Sequence, residues 1–549
     1  MKKLILALLV IALVSVLAAG CGEDTTETTA ATAGPETTAG AATTAGPATT
    51  AGAATTATTA AAAGGDKYGG TITVALGGGP SSPGGLPWEY QANDSAPLQC
   101  VYEPLFRGDE DSNMVPWLAE SYELAEDNLS MTIKLKQGIK FTDGSDLNAE
   151  VAAWCMQQMI DNHLVGSWKA VEVVDPYTIK LSFFMWDNTI YNSLEDSPNS
   201  WMISKASFDK NGADHMRTHP VGTGPFLFDS FQADAYYDVV RNPDYWQEGL
   251  PYLDKIHFVM ITDDNTRKAA LQAGEVDVME LEPNKLVADM IKELPDYSWV
   301  GTIFSSNILV FGTKNPDSPC ANKQVREALD YAIDREALAA ALSYGMWGPT
   351  YQIPAPDNGA IYDPNYVYPR PYDPEKAKQL LAEAGYASGL KVTIYSAPIP
   401  TDPGIIAAVQ GMWKEVGVDC ELVYCKIQPE WNDADKACAP GTILFEPMGP
   451  MGNYNNGLAF GFNADMDIWN ACWLRTPEYI DLYRKSMSTR EYDPMLAKAI
   501  TDYMTNDASV LAITGAGKGW MVANDIKDHG FLTRTFCPWW SPEATYIEK

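Results

Sequence analysis

Between His219 and Val278 the chain reads as a run of short strands cut by fixed turns, and this stretch limits the fold more than any other. Gly222 and Gly224 allow backbone angles that a side chain forbids, while Pro220 and Pro225 fix φ on either side. Phe226, Leu227 and Phe228 open one apolar run, Tyr236 to Val240 form a second, and Asn242-Pro243-Asp244 is a turn. Ile256, Phe258 and Met260 alternate with Val259 and Ile261, as in a strand covered on both faces. Asp263-Asp264-Asn265 supplies caps for a helix from Thr266 to Ala273, which Gly274 ends before a strand from Val276 to Met279. Strands and helices in this alternation predict an α/β architecture.

A chain of 549 residues exceeds one compact domain, so two or three lobes are expected. Its formal net charge of −33 repels the phosphates of nucleic acid, and no nucleic-acid partner is expected. Such charge also disfavours a basic, membrane-hugging surface and suits a solvated acidic coat. Lys2 and Lys3 precede an apolar run from Leu4 to Ala19, the pattern of a secretory signal. Its end, LAAGC, looks like a lipobox, which predicts a signal over 1–21 and a lipid on Cys21 as the mature N-terminus. Residues 22–65 are low-complexity Thr, Ala, Gly and Pro that cannot build a core, with TTAG recurring at positions 37, 43 and 49. As a flexible coil they span roughly 35 Å, enough to lift a folded body off a lipid surface.

The folded body begins near Tyr68, with a strand over Thr71–Leu76 and then a Gly/Pro loop. That loop, like TGAGKGW at 514–520, lacks the glycine and Gly-Lys-Ser/Thr spacing of a phosphate cradle. Met131, Ile133 and Leu135 alternate; a turn at Gln137-Gly138 sends Ile139 and Phe141 back as a hairpin. Asn148 caps a helix with Val151, Cys155 and Met159 on one face, and a second hairpin turns at Asp175-Pro176. Asn322 caps a long helix in which Val325, Leu329 and Ile333 recur, with Leu338 and Leu342 continuing the buried side. Asp373-Pro374 starts another helix. A strand over Val392–Tyr395, a helix over Gly404–Glu415 and a strand over Val418–Tyr424 make a parallel crossover.

Enzymatic signatures are missing from the sequence. Five scattered histidines offer no HExxH, and no GxSxG occurs. Cys420 and Cys425 stand in no zinc pattern, so neither metal nor cofactor is expected. Beyond Cys21 there are eight cysteines, at 100, 155, 320, 420, 425, 438, 472 and 537, an even number compatible with disulfides of unassignable pairing. Carboxylate pairs such as Asp465 and Asp467 leave a secreted hydrolase as a remote alternative.

The words GTGPF, RNPDYW, PYLDKI and ALQAGEVDV, in that order, resemble the family 5 extracellular solute-binding proteins, the dipeptide-, oligopeptide- and nickel-binding components of ABC importers. YEPLFR, PWLAES, FTDGSDLNAEVAAW and VREALDYAIDREAL extend the resemblance, which covers about 68–440 well and is looser beyond. It implies a bilobal periplasmic-binding-protein-like fold of type II with the ligand cleft between lobes. Lobe I is expected over 66–100, 219–310 and 516–549, with 101–218 inserted as an α+β subdomain and 311–515 forming lobe II.

The resemblance further implies a monomer that captures a peptide or other small solute by closure and hands it to a permease, outside the cytoplasm and held by its lipid. A ligand sensor or chaperone on the same fold is the alternative. In peptide-binding members a late loop of the second lobe carries an aspartate facing the ligand's α-amine. Here the corresponding strand is Thr442 to Phe445, followed by Glu446 and PMGPMGNYNNG, which offers Glu446 as the nearest carboxylate but does not reproduce that motif. Asn453, Tyr454 and Asn455 are candidate contacts in that loop; the asparagines would bind a polar ligand or support turns. Trp469 and Trp473, four apart, would share one face of a helix, as an aromatic wall or a core stripe. Tyr90 is a candidate for the opposite wall.

Overall fold

The computed structural model describes residues 67–549 except 81, 91–94, 110–112, 196, 399–401, 451–452, 467–468 and 532–539. The signal, Cys21, the tether, Asp467 and Cys537 lie outside the described residues.

One ten-stranded sheet runs through the body. Its strands in chain order are β1 (Thr71–Leu76), β2 (Phe226–Gln232), β3 (Tyr236–Arg241), β4 (Lys255–Met260), β5 (Val278–Leu281), β6 (Tyr297–Phe311), β7 (Leu390–Ser396), β8 (Val418–Tyr424), β9 (Thr442–Met448) and β10 (Val510–Ala523). Their spatial order is β2-β3-β4-β1-β5-β10-β6-β9-β7-β8. On one side β1 lies parallel to β4 and β5; on the other β7 lies parallel to β8 and β9. Antiparallel β6 and β10 lie between these two halves of the sheet.

Local chemistry explains most boundaries. Asn148, Asp263 and Asp373 each accept a backbone N–H of the first turn that has no partner within its helix. The helix expected from Lys323 onward is instead two, Lys323–Tyr331 and Arg335–Leu342, because Asp334 caps a second start by accepting from Ala337 N. The hairpin expected to return through Ile139 and Phe141 does not form. Both side chains are buried, but the segment makes only an isolated bridge, Lys140 to Asp146. Ser130–Leu135 pairs with Ala119–Leu124 and Thr178–Phe183 in a separate four-stranded sheet completed by Trp168–Asp175.

The recurrent words of the sequence converge on one carboxylate. Glu103, fully buried, accepts from Trp117 Nε1 (2.9 Å), Thr223 Oγ1 (2.8 Å), the Tyr245 hydroxyl (2.7 Å) and Trp246 Nε1 (2.9 Å). Thus YEPLFR, PWLAES, GTGPF and RNPDYW, spread over well over a hundred residues, share one hub. The glycines of GTGPF are required by approach: a Cβ on Gly222 would meet the Val101 carbonyl oxygen at 1.9 Å, and one on Gly224 the Cys100 oxygen at 2.5 Å. In the other lobe Asp330 lies wholly buried between Arg335 (2.8 Å) and Arg370 (2.5 Å). Among the described residues no helix is long and apolar enough to cross a membrane.

Candidate functional site

The direction of the strands fixes where a ligand can sit. In open α/β sheets, ligands occupy the crevice outside the carboxyl ends of parallel strands. Here β5 ends at Leu281, opposite Gly519 of β10, which in turn faces Gly301 of β6. On the other side β9 ends at Met448, opposite Ser306 of β6. The two carboxyl edges therefore face each other along the same pair of strands. Five residues of extended chain, roughly 16 Å, separate Gly301 from Ser306. Between them the ladder of β6 and β10 is broken by a register shift from Thr302 to Ser305. Positions 310/311 and 515/516, where lobe boundaries are expected, lie within β6 and β10.

The crossing carries side chains that no sequence pattern had marked. Asp357 accepts from the Ile303 N–H (2.7 Å) and from Thr302 Oγ1, and Asn358 Nδ2 donates to the Phe304 carbonyl (2.9 Å). Glu282 directly follows β5; burial, opposed by Lys518, pushes its carboxyl up to about 7. The rejected phosphate-loop look-alike is the crossing strand itself. Gly515, Gly517 and Gly519 recur every second residue, so one strand face is bare, and Trp347, the Thr302 carbonyl and Trp299 lie against it. A period-2 run of glycines was the available signal.

The expected second-lobe contacts lie deeper. Glu446 is within β9, which extends to Met448, rather than in the loop beyond a shorter strand. It is buried, accepting from Trp469 Nε1 (2.5 Å) and Asn470 Nδ2 (2.7 Å). Burial outweighs these donors and pushes its carboxyl up to about 7. Asn453 caps the helix Tyr454–Gly461, accepting from Asn456 N (3.2 Å). Asn455 donates to Asn188 Oδ1 of the inserted region (3.0 Å) and accepts from Ser486 Oγ (2.8 Å). Asn188 also donates through its backbone N–H to the Met487 carbonyl (2.9 Å), so the inserted region and lobe II are joined there. Tyr454 is buried with no hydrogen-bond partner for its hydroxyl among the described residues.

Trp469 and Trp473 do not share a helical face. The described part of the segment is turns, with Asn470 at φ +51°, so the expected helix is not formed. Trp469 packs on Trp431 and Phe460, while Trp473, 1% exposed, packs edge-on against Phe462 and Tyr479. Trp473 belongs to a buried apolar cluster, and Trp469, partly buried, packs against it. Tyr90 packs edge-on to Trp201 (5.5 Å) and shares a hydrogen bond with Ser95. No group of three or more His, Cys, Asp or Glu placed to hold a metal occurs among the described residues.

The raised Glu446 carboxyl gives a pH prediction. A carboxyl raised on folding contributes stability that is present below its unfolded value and lost as pH climbs through the folded one. Relative to Glu446→Gln, which cannot titrate, the wild type should lose roughly 3 kcal/mol of unfolding free energy between pH 4.5 and about pH 8. Urea melts of both proteins across this range check it, and parallel curves would show that Glu446 is not buried as described. The comparison also removes the shared contribution of Glu282.

The model of the bacterial extracellular solute-binding proteins, family 5 Middle, matches residues 113–516, well over half of the chain. The glutathione-binding protein GsiB of Salmonella typhimurium is 36% identical over 349 residues, 61% of this chain and 66% of that protein. GsiB of Escherichia coli O157:H7 is 34% identical over the same shares. The match thus spans just under two thirds of these relatives' length. Among solved structures, HbpA2 from Haemophilus parasuis superposes with a TM-score of 0.75 at 23% identity, covering 87% of this chain and 100% of that one. DppA from Helicobacter pylori, in complex with the peptide STSA, gives 0.69 at 21%, covering 88% and 99%. These likenesses establish the periplasmic-binding-protein fold. The chain belongs to the family 5 bacterial extracellular solute-binding proteins.

Proposed function

We propose that this protein is a lipid-anchored receptor that captures a short peptide or a glutathione-like solute between its lobes and delivers it to an ABC permease. The observation that carries the reading is the pair of carboxyl edges, ending at Leu281 and Met448, facing each other across the β6–β10 crossing. Two lobes linked by a few crossing residues can close as rigid bodies and bury a ligand between them. Support for the ligand class comes from relatives named as glutathione-binding and from a similar fold solved with a peptide. The solute's polar groups would meet Glu282, Lys518 and the loop around Asn453, with Tyr454 buried beneath that loop. Glu446, Asn455, Trp469 and Trp473 would act one layer behind, shaping that loop, and Tyr90 would support the opposite wall. No bond is made or broken in this cycle.

A panel of glutathione, dipeptides and tripeptides read by thermal shift tests the ligand class. A ligand at a hundred times its dissociation constant should stabilise the fold by about 2.7 kcal/mol. A panel that leaves the melting temperature unmoved would remove peptides and glutathione as ligands.

The anchor is tested separately. With Cys21 diacylated, Cys21→Ala should move the protein from the membrane fraction to the soluble one, because two chains hold stably and none does not. Equal membrane retention of the variant would sink the anchor.

A further inference from the structure

A pocket of about 460 Å³ opens on lobe II, lined by Lys314, Asn315, Lys436, Ala437, Cys438 and Ala471. Cys438 ends the helix Gln428–Ala437 in the left-handed region, φ 44°, and is half-buried at the pocket wall. Its sulfur lies 3.6 Å from the carbonyl oxygen of Cys472, which is fully buried behind it. Both backbones are pinned: Asn315 Nδ2 donates to the Cys438 carbonyl (2.8 Å), and the Lys314 N–H to that of Cys472 (2.9 Å). The Cys472 amide donates to Asp435 Oδ1 (2.9 Å).

We propose that Cys438 and Cys472 form a dithiol site at which a small disulfide entering this pocket is exchanged for an intramolecular Cys438–Cys472 bond. The Cys438 thiolate attacks one sulfur of the small disulfide, whose S–S bond breaks and releases a thiolate. Cys472 then loses its proton to solvent and attacks Cys438 in the mixed disulfide, releasing the second thiolate. One disulfide is reduced and one is formed. The division of labour follows from access, since only Cys438 reaches the pocket.

Electrostatics favour the same sulfur. The Cys472 thiol as donor, then the Asn315 N–H and Lys314, hold Cys438 below the ordinary thiol range, with burial and Asp435 opposing. Burial instead raises the thiols of Cys100, Cys155, Cys320, Cys420 and Cys425. The bond would close the segment between positions 438 and 472, which carries β9, Glu446 and the loop around Asn453. It would tie the second-lobe wall at both ends.

The test is peptide mapping of the full, folded protein, first reduced under native conditions and then exposed to hydroxyethyl disulfide. Wild type should give the Cys438–Cys472 cross-linked peptide and a raised melting temperature. Cys472→Ser should trap hydroxyethyl thiol on Cys438, and Cys438→Ser should leave Cys472 unmodified. Reaction at Cys100, Cys155, Cys320, Cys420 or Cys425 before Cys438 would overturn the proposal. So would a wild-type protein whose Cys438 stops at the mixed disulfide.

Discussion

Replacing Glu103 with alanine is expected to cost about 4 kcal/mol of stability, enough to unfold much of a marginal protein. The carboxyl group, itself fully buried, accepts from two indoles and two hydroxyls. Alanine takes the acceptor from all four donors; the Thr223 and Tyr245 hydroxyls are buried, each costing about 1–3 kcal/mol, while the half-buried indoles of Trp117 and Trp246 lose less. Burial raises the Glu103 carboxyl in spite of these donors. Glu103→Gln should therefore be milder, since its carbonyl still accepts from part of the set. Urea midpoints of both variants decide the matter. A loss below about 1 kcal/mol for alanine would mean that the four words are not held together through this residue.

Trp473→Ala should remove a similar amount, about 3–5 kcal/mol, the range for truncating a buried aromatic residue. Its ring packs edge-on against Phe462 and Tyr479, so alanine leaves a cavity that these two rings cannot fill. Trp469→Ala should cost less in packing, because that ring is only partly buried. It would, however, strip Glu446 of one of its two donors. Affinity per folded molecule should be unchanged in Trp473→Ala. Unaltered stability with weakened binding would move that ring to the cleft.

Where side-chain period and capping act locally, the sequence was a sufficient guide. β1 and β8 begin and end where alternation and turn residues place them, and the crossover between β7 and β8 is parallel. The break at Asp334 was missed because Val325, Leu329 and Ile333 keep helical spacing up to it, while a cap-forming aspartate restarts the turn. Trp469 and Trp473 were misplaced for a related reason. Spacing of four implies a shared face only on a helix, and left-handed Asn470 prevents one. Glu103 is another kind of case. Its words could be recognised in order, but their meeting at one carboxylate is a long-range fact that no local pattern encodes. The cleft itself followed from strand direction and from where β6 and β10 cross, neither of which a single segment reveals.

Capture by closure of two lobes about the β6–β10 crossing would compact the molecule on binding. Small-angle scattering of the folded body, alone and saturated with whichever solute raises its melting temperature, tests it most directly. A smaller radius of gyration is expected at saturation, as the carboxyl edges approach. An unchanged radius at saturation would contradict it and leave a rigid binding pocket in its place.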